Sequence, residues 1–256
     1  MKEPASTPRD AIVVVPARFA STRLPGKPLA EIGGVPMVVR VARRGALAGC
    51  GPVIVATDEA RVAEVCVAHG VAAMMTSPHH PSGSDRVHEA VEKSGSSAAS
   101  VIVLQGDLPL IDPNQLSTAL DALSDCDIAT LATVIDSQHE RNDPNVVKVI
   151  GTPIRGWGDT PGDRLRALYF TRATAPAGEG PLLHHVGLYA YRREALARFV
   201  SLPPGVLERR ESLEQLRALE HGMRIDVAIV DGQPLGVDAP ADLERARALV
   251  ADGEDQ

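Results

Sequence analysis

From residue 11 onward, short apolar runs alternate with stretches of helical periodicity. Strand-like segments stand at 11–16, 52–57, 72–75 and 101–105, and helical patterns fill 34–48, 59–70, 84–94 and 113–124 between and after them. Strands joined by helices are joined by crossovers, so this pattern dictates βαβ units, a parallel sheet covered on both faces, and right-handed connections. Past about residue 127 the rhythm changes. Apolar stretches at 127–135, 145–150, 165–171 and 185–191 follow one another without long helices, which predicts antiparallel strands, with helices at 193–200 and 207–221 packed outside. The Gly-, Pro- and Asp-rich segment 151–164 reads as an exposed hairpin or loop. The fold class is therefore α/β, a mostly parallel sheet flanked by helices. Residues 1–256 form one domain, about 127–200 are a β-rich appendage, and residues 1–10 are read as flexible.

Composition narrows the function. Aromatic residues make up only 3% of the chain, too few for a stacking surface, and the formal charge of −7 opposes a nucleic-acid partner, which needs a positive footprint. Cys50, Cys66 and Cys126 lie far apart with no C-x-x-C spacing, which suits neither a zinc site nor a disulfide framework and fits a reducing cytoplasm. The first ten residues lack a signal-peptide core, and no apolar run approaches a membrane span.

In an open parallel sheet, ligands bind beyond the carboxyl ends of the strands. The loop after the first strand, "ARFASTRLPGKPL", gathers Arg18, Arg23 and Lys27. Its Gly26-Lys27 pair is not a phosphate loop, because Ser21 stands where glycine is needed and Pro28 where Ser or Thr is needed. Two arginine forks and a mobile ammonium suit a triphosphate, and a solvated surface loop is the alternative. In "PSGSDR", Ser82 followed by Asp85 is a capping-box-like helix start, and Gly83 would let a base edge approach. Asp107 in "QGDLP" follows a buried strand, as a magnesium ligand or a turn residue. Asp112-Pro113 is N-cap and N1 chemistry. Taken on its residues alone, Asp238 in "GVDAPADLE" reads as the N-cap of a terminal helix in preference to a second metal ligand. His185, Tyr189 and Tyr191 share one face of a strand, where a histidine is ordinarily structural. The amphipathic "ESLEQLRALE" turns Glu214 and Gln215 toward either a groove or water.

The ordered set "PARFASTRLPGKPL", "VATD", "PSGSDR", "QGD", "DPNVVKV", "YFTRATAP", "HHVGLYAYRR", "LEQLR" and "GVDAPADLE" resembles the 3-deoxy-manno-octulosonate cytidylyltransferases over roughly residues 11 to 250. The resemblance implies a nucleotidyltransferase-type sheet with a β-rich dimerisation portion. It implies transfer of CMP from CTP to the anomeric hydroxyl of an acidic eight-carbon sugar, with release of pyrophosphate, by a cytoplasmic homodimer serving lipopolysaccharide synthesis. It implies that Arg18, Arg23 and Lys27 bind phosphates and that Ala17, Ser82, Gly83 and Arg86 surround cytosine. Asp107 and Asp238 would hold Mg2+, Gln105, His185, Tyr189, Glu214 and Gln215 would hold the sugar, and Arg172 would face its carboxylate. The resemblance makes Arg18, Lys27, Asp107 and Asp238 the expected catalytic set. Transfer to a modified octulosonate, such as an 8-amino form, or to another 2-keto sugar acid is the rival activity. A nucleotide-sugar binding module without catalysis is the rival class, and the presence of both aspartates counts against it. The chain departs from the family at Leu108, which stands beside Asp107 where an acid is familiar. On an extended segment that side chain is expected to point away from its neighbour.

Overall fold

The computed structural model describes residues 10–19, 24–154 and 163–253. They fall into two compact units, residues 1–117 with 234–256 and residues 118–233. The first ten positions, all but Asp10, and Arg23 lie outside the described residues.

In the first unit the chain enters as β1 (Ala11–Ala17), makes a 3-10 turn at Lys27–Leu29, and forms a small hairpin of β2 (Glu31–Ile32) and β3 (Val35–Pro36). It continues through α1 (Met37–Leu47), β4 (Val53–Thr57), α2 (Ala60–Ala68), β5 (Ala72–Met75), α3 (Gly83–Ser94) and β6 (Ser100–Leu104). Its four long strands are ordered β5-β4-β1-β6, and all three pairings are parallel. Val13 lies beside Val53 on one side and Ile102 on the other, and Val13, Val14 and Val15 are fully buried, as a strand covered on both faces requires. Strand order reverses next to β1: the chain first builds outward to β4 and β5, then crosses to β6. Such a switch point directs ligands to the loops after the adjoining strands, here the loops after Ala17 and Leu104.

The helix expected over 34–48 begins only at Met37. Gly33 and Gly34 both take positive φ, 58° and 72°, the geometry of a tight two-residue hairpin turn, so Val35-Pro36 pairs back on Glu31-Ile32 first.

Helix α4 (Pro113–Ala122) carries the chain into the second unit. Here β7 (Ile128–Val134), α5 (Gln138–Asn142), β8 (Lys148–Pro153), β9 (Arg164–Thr171) and β10 (Leu183–Arg192) lead into α6 (Arg193–Ser201), α7 (Val206–Glu211), α8 (Gln215–Glu220) and β11 (Ile225–Ile229). The strands are ordered β10-β7-β11-β9-β8. Pairing is antiparallel except for β7 with β11, so this part of the sheet is mixed. The segment read as an exposed hairpin joins the antiparallel pair β8 and β9, and residues 155–162 of it lie outside the described residues.

Two further elements correct the sequence reading. Strand β11 was not anticipated, because Asp226 interrupts its apolar run; the side chain is fully buried between Arg164 and Arg224, with contacts of 2.8 to 3.0 Å. The single helix expected at 207–221 is broken at Ser212, whose φ is 54°. Glu220 bonds the backbone N–H groups of Val206, Leu207 and Glu208, and Arg217 forks onto Glu208, so the fold back is held at both ends. From Pro234 the chain returns to the first unit and ends in α9 (Pro240–Ala251).

Candidate active site

At the switch point of the first unit, two loops are tied together by backbone. Val237 N–H donates to the Asp107 carbonyl at 2.9 Å, which sets the Asp238 side chain beside that of Asp107. Between them stands Lys27, delivered by the 3-10 turn that follows Gly26, a residue at φ 69°. Its Nζ donates to Asp107 Oδ2 and to Asp238 Oδ1, each at 2.9 Å. Three residues spread over 211 positions of sequence thus form one ion-paired group.

Asp107 sits in a turn rather than on an extended segment, with Leu108 N–H donating to the Gln105 carbonyl. Gly106 makes that turn possible, since a Cβ there would stand 2.9 Å from the Pro16 carbonyl oxygen. The Leu108 side chain is buried, whereas that of Asp107 reaches the Lys27 ammonium. Asp238 is not the cap of the terminal helix, which corrects the reading favoured by its residues alone. Ala239 takes that place, and the Asp242 carboxylate accepts the backbone N–H groups of Asp238 and Ala239. The side chain of Asp238 is thereby turned to Lys27.

Arg18 is exposed, just past the buried Ala17, and donates from NH2 to the His80 carbonyl at 3.2 Å. This bond links the loop after β1 to the loop before α3. His80 in turn meets Glu89, which also accepts from Ser77 N–H. The Lys93 ammonium foremost, with Ser77 and His80, holds the Glu89 carboxyl down at about 2. Ser82 is the N-cap of α3, as expected: its Oγ accepts from Asp85 N–H at 3.3 Å and donates to Asp85 Oδ2 at 2.6 Å. A Cβ on Gly83 would meet only Pro16, at 3.8 Å, so the protein's own packing does not demand glycine there.

Arg86 departs furthest from its expected surroundings. Its side chain is fully buried, with NH1 donating to Thr76 Oγ1 and NH2 to Asp58 Oδ2, both at 2.6 Å. The guanidinium thus braces the end of β4 against the start of α3. Asp58, in "VATD", had no role in the sequence reading, since nothing local marks it as the partner of an arginine 28 positions later.

The remaining predicted residues, apart from Gln105 after β6, lie in the second unit. His185 N–H donates to the Val147 carbonyl, and the ring packs edge-on to Phe170 and against Tyr189, with centroids 5.1 and 5.4 Å away. His185, Tyr189 and Tyr191 do share a face, because they pair with Ala132, Thr130 and Ile128 across a bulge between Val186 and Tyr189. Thr130 fills that bulge: its hydroxyl donates to the Val186 and Leu188 carbonyls at 3.1 and 2.8 Å. His185 Nε2 lies 3.0 Å from the same oxygen, so the ring is tied to the bulge. Burial, reinforced by His184, pushes the His185 imidazolium down to about 3. Burial also pushes the Tyr189 phenol well above its usual range, with Tyr191 and Glu214 adding to it.

Glu211, missed from the sequence, accepts from Arg172 N–H at 2.9 Å and from the Thr171 hydroxyl at 2.8 Å. Burial alone would raise its carboxyl, but these bonds, with one from Tyr169, outweigh burial and hold it low. Arg172 donates through Nε to the Glu211 carbonyl and through NH1 to that of Pro144. Glu214 precedes α8, and Gln215 opens it and is buried.

The family model described as cytidylyltransferase matches residues 12–225. The 3-deoxy-manno-octulosonate cytidylyltransferase of Azorhizobium caulinodans is 60% identical over 249 residues, covering 96% of this chain and 97% of its own. The chain belongs to the 3-deoxy-manno-octulosonate cytidylyltransferase family. The enzyme of that name from Rhodopseudomonas palustris is 59% identical, with 96% and 99% of the two chains covered. A solved structure of CMP:2-keto-3-deoxy-manno-octonic acid synthetase complexed with CTP superposes with a TM-score of 0.86 at 41% identity, over 94% of this chain and 98% of that one. A cytidylyltransferase from Leptospira borgpetersenii, at 16% identity and a TM-score of 0.62, shares the fold.

For a divalent cation, the donor set of the first unit suits magnesium better than zinc. Among the described residues no cluster of three or more His, Cys, Asp or Glu side chains is placed to hold a metal. Two carboxylates sharing one cation are what Mg2+ uses when water and substrate phosphates complete its shell. Among the described residues, no helix is long and apolar enough to cross a membrane.

Proposed function

We propose that this protein transfers CMP from CTP to the anomeric hydroxyl of 3-deoxy-D-manno-octulosonate, giving CMP-Kdo and pyrophosphate for lipopolysaccharide synthesis. The observation that carries the reading is the Asp107–Lys27–Asp238 group at the strand-order switch, in a chain about 60% identical to relatives named for this reaction. Arg18, Arg23 and Lys27 bind the triphosphate, and Ala17, Ser82, Gly83 and Arg86 shape the cytosine site, Arg86 by bracing the loop rather than by touching the base. Asp107 and Asp238 hold Mg2+, which when bound supplies charge neutralisation at the phosphates. Gln105, His185, Tyr189, Glu214 and Gln215 orient the sugar, and Arg172 binds its carboxylate.

Attack of a hydroxyl on the α-phosphorus needs alignment and neutralised charge more than a protein nucleophile. The cations around the outer phosphates stabilise the departing pyrophosphate, and the residues assigned to the sugar hold its hydroxyl in line. The chain acts as a single nucleotidyltransferase domain, in a cytoplasmic homodimer with no nucleic-acid or membrane partner. Pyrophosphate release from each nucleoside triphosphate, measured with a panel of 2-keto sugar acids including 8-amino octulosonate, tests base and acceptor together. CTP with 3-deoxy-D-manno-octulosonate is expected to give the highest kcat/KM. A higher value for the amino sugar or for another triphosphate would refute the assignment.

A further inference from the structure

The Lys27 ammonium is itself the cation shared by Asp107 and Asp238, 2.9 Å from an oxygen of each. Its side chain is only 15% exposed, so this is a held position rather than a surface contact. A dication bound to the same two carboxylates would lie within a few ångströms of that ammonium, where like charges repel strongly. A metal drawn to this pair would thus have to displace the ammonium or tolerate it.

We propose that Lys27 is a place-holder that couples metal binding to nucleotide binding. Without nucleotide its ammonium closes the carboxylate pair and keeps metal affinity low. When CTP arrives, the triphosphate offers the ammonium a new partner, Lys27 turns to it, and the carboxylates are released to the metal. The inference rests on the nucleotidyltransferase reading above and adds the order of events to it.

The residue type and its mounting fit this role. Lysine carries a compact charge on a flexible stem, whereas arginine's rigid fork would lock onto a carboxylate. The backbone at Lys27 is anchored, its N–H donating to the Leu24 carbonyl at 3.1 Å and its carbonyl accepting from Ala30 N–H at 3.1 Å. The exchange thus needs a side-chain rotation and no backbone rearrangement. Coupling of this kind is reciprocal: whatever CTP adds to metal affinity, the metal adds to CTP affinity.

The test is binding of Mn2+ alone to nucleotide-free protein, read by electron paramagnetic resonance of the free ion, then repeated with a non-hydrolysable CTP analogue. Lys27→Met is expected to bind Mn2+ about tenfold or more tightly than the unsubstituted protein without nucleotide, and its gain on adding the analogue is expected to shrink by a similar factor. Lys27→Gln serves as a second neutral variant should Lys27→Met fail to fold, and Lys27→Arg should stay as weak as the unsubstituted protein. Adding Asp238→Asn to Lys27→Met should abolish the gain, which locates it between these carboxylates. Unchanged or weaker Mn2+ binding by folded neutral variants overturns the place-holder role, even if the unsubstituted protein makes pyrophosphate normally. Failure of the unsubstituted protein to bind CTP or release pyrophosphate with any divalent metal would instead overturn the functional reading beneath it.

Discussion

Replacing Asp58 with alanine removes the carboxylate from a pair whose two ends are not equivalent. Arg86 is fully buried, whereas the Asp58 side chain keeps 18% of its exposure. In Asp58→Ala the guanidinium stays inside the protein without its counter-charge. In Arg86→Met the buried charge itself is gone, an apolar chain fills the arginine stem's volume, and Asp58 retains contact with water. Stranding a buried charge costs about 3–5 kcal/mol, and the surviving 2.6 Å bond from Arg86 to Thr76 argues for the lower end, about 3 kcal/mol. Exchange of the arginine for methionine is expected to cost about 1 kcal/mol or less, since apolar replacement of a buried ion is often neutral. Urea unfolding followed by circular dichroism reads the difference: about 1 M off the midpoint for Asp58→Ala at a slope near 3 kcal/mol/M, and a few tenths for Arg86→Met. The double variant should behave like Arg86→Met, because no stranded charge remains. If Arg86→Met loses as much as Asp58→Ala, or the double variant loses the sum of the two, the asymmetry argument is wrong.

His185 should make stability pH-dependent. The folded protein holds its imidazole neutral down to about pH 3, while the unfolded chain takes up the proton near pH 6.5, so its contribution is whole above that value and is lost as pH falls toward 3. Urea midpoints measured from pH 7 to 4 should therefore fall more steeply for the unsubstituted protein than for His185→Gln, by at most about 1.4 kcal/mol per pH unit; parallel curves would contradict the buried neutral state. A purely structural histidine would leave the sugar KM of the folded variant unchanged, whereas sugar contact predicts a raised KM with unaltered CTP affinity. Gly106→Ala should lower both melting temperature and kcat, because its Cβ would lie 2.9 Å from a backbone oxygen and the turn bearing Asp107 must shift. Gly83→Ala, with 3.8 Å to spare, should keep its melting temperature and weaken CTP binding through the approach of the base; a stability loss like that of Gly106→Ala would sink this distinction.

The chain itself decided the first unit almost entirely. Its strands are apolar, parallel and separated by helices, so periodicity alone located β1, β4, β5 and β6 to within a residue or two at each end. Capping chemistry is equally local, which is why Ser82 was legible at the start of α3. Motif order was enough to reach the family. Interactions made by distant residues were not legible. Strand β11 hides behind Asp226, a residue that reads as a breaker until Arg164 and Arg224 are seen to neutralise it. Asp238 has the look of a helix cap in sequence, and only the backbone bond from Val237 to Asp107, with Asp242 serving the helix start, turns it to Lys27. Arg86 was placed beside cytosine by the resemblance, and its bonds to Asp58 and Thr76, which bury it, were not legible. Hydrophobic periodicity and capping act over a few residues, and the amino-acid order states them outright. Charge pairing acts through space at about 3 Å, and which charges meet is settled only when the strands have been placed side by side.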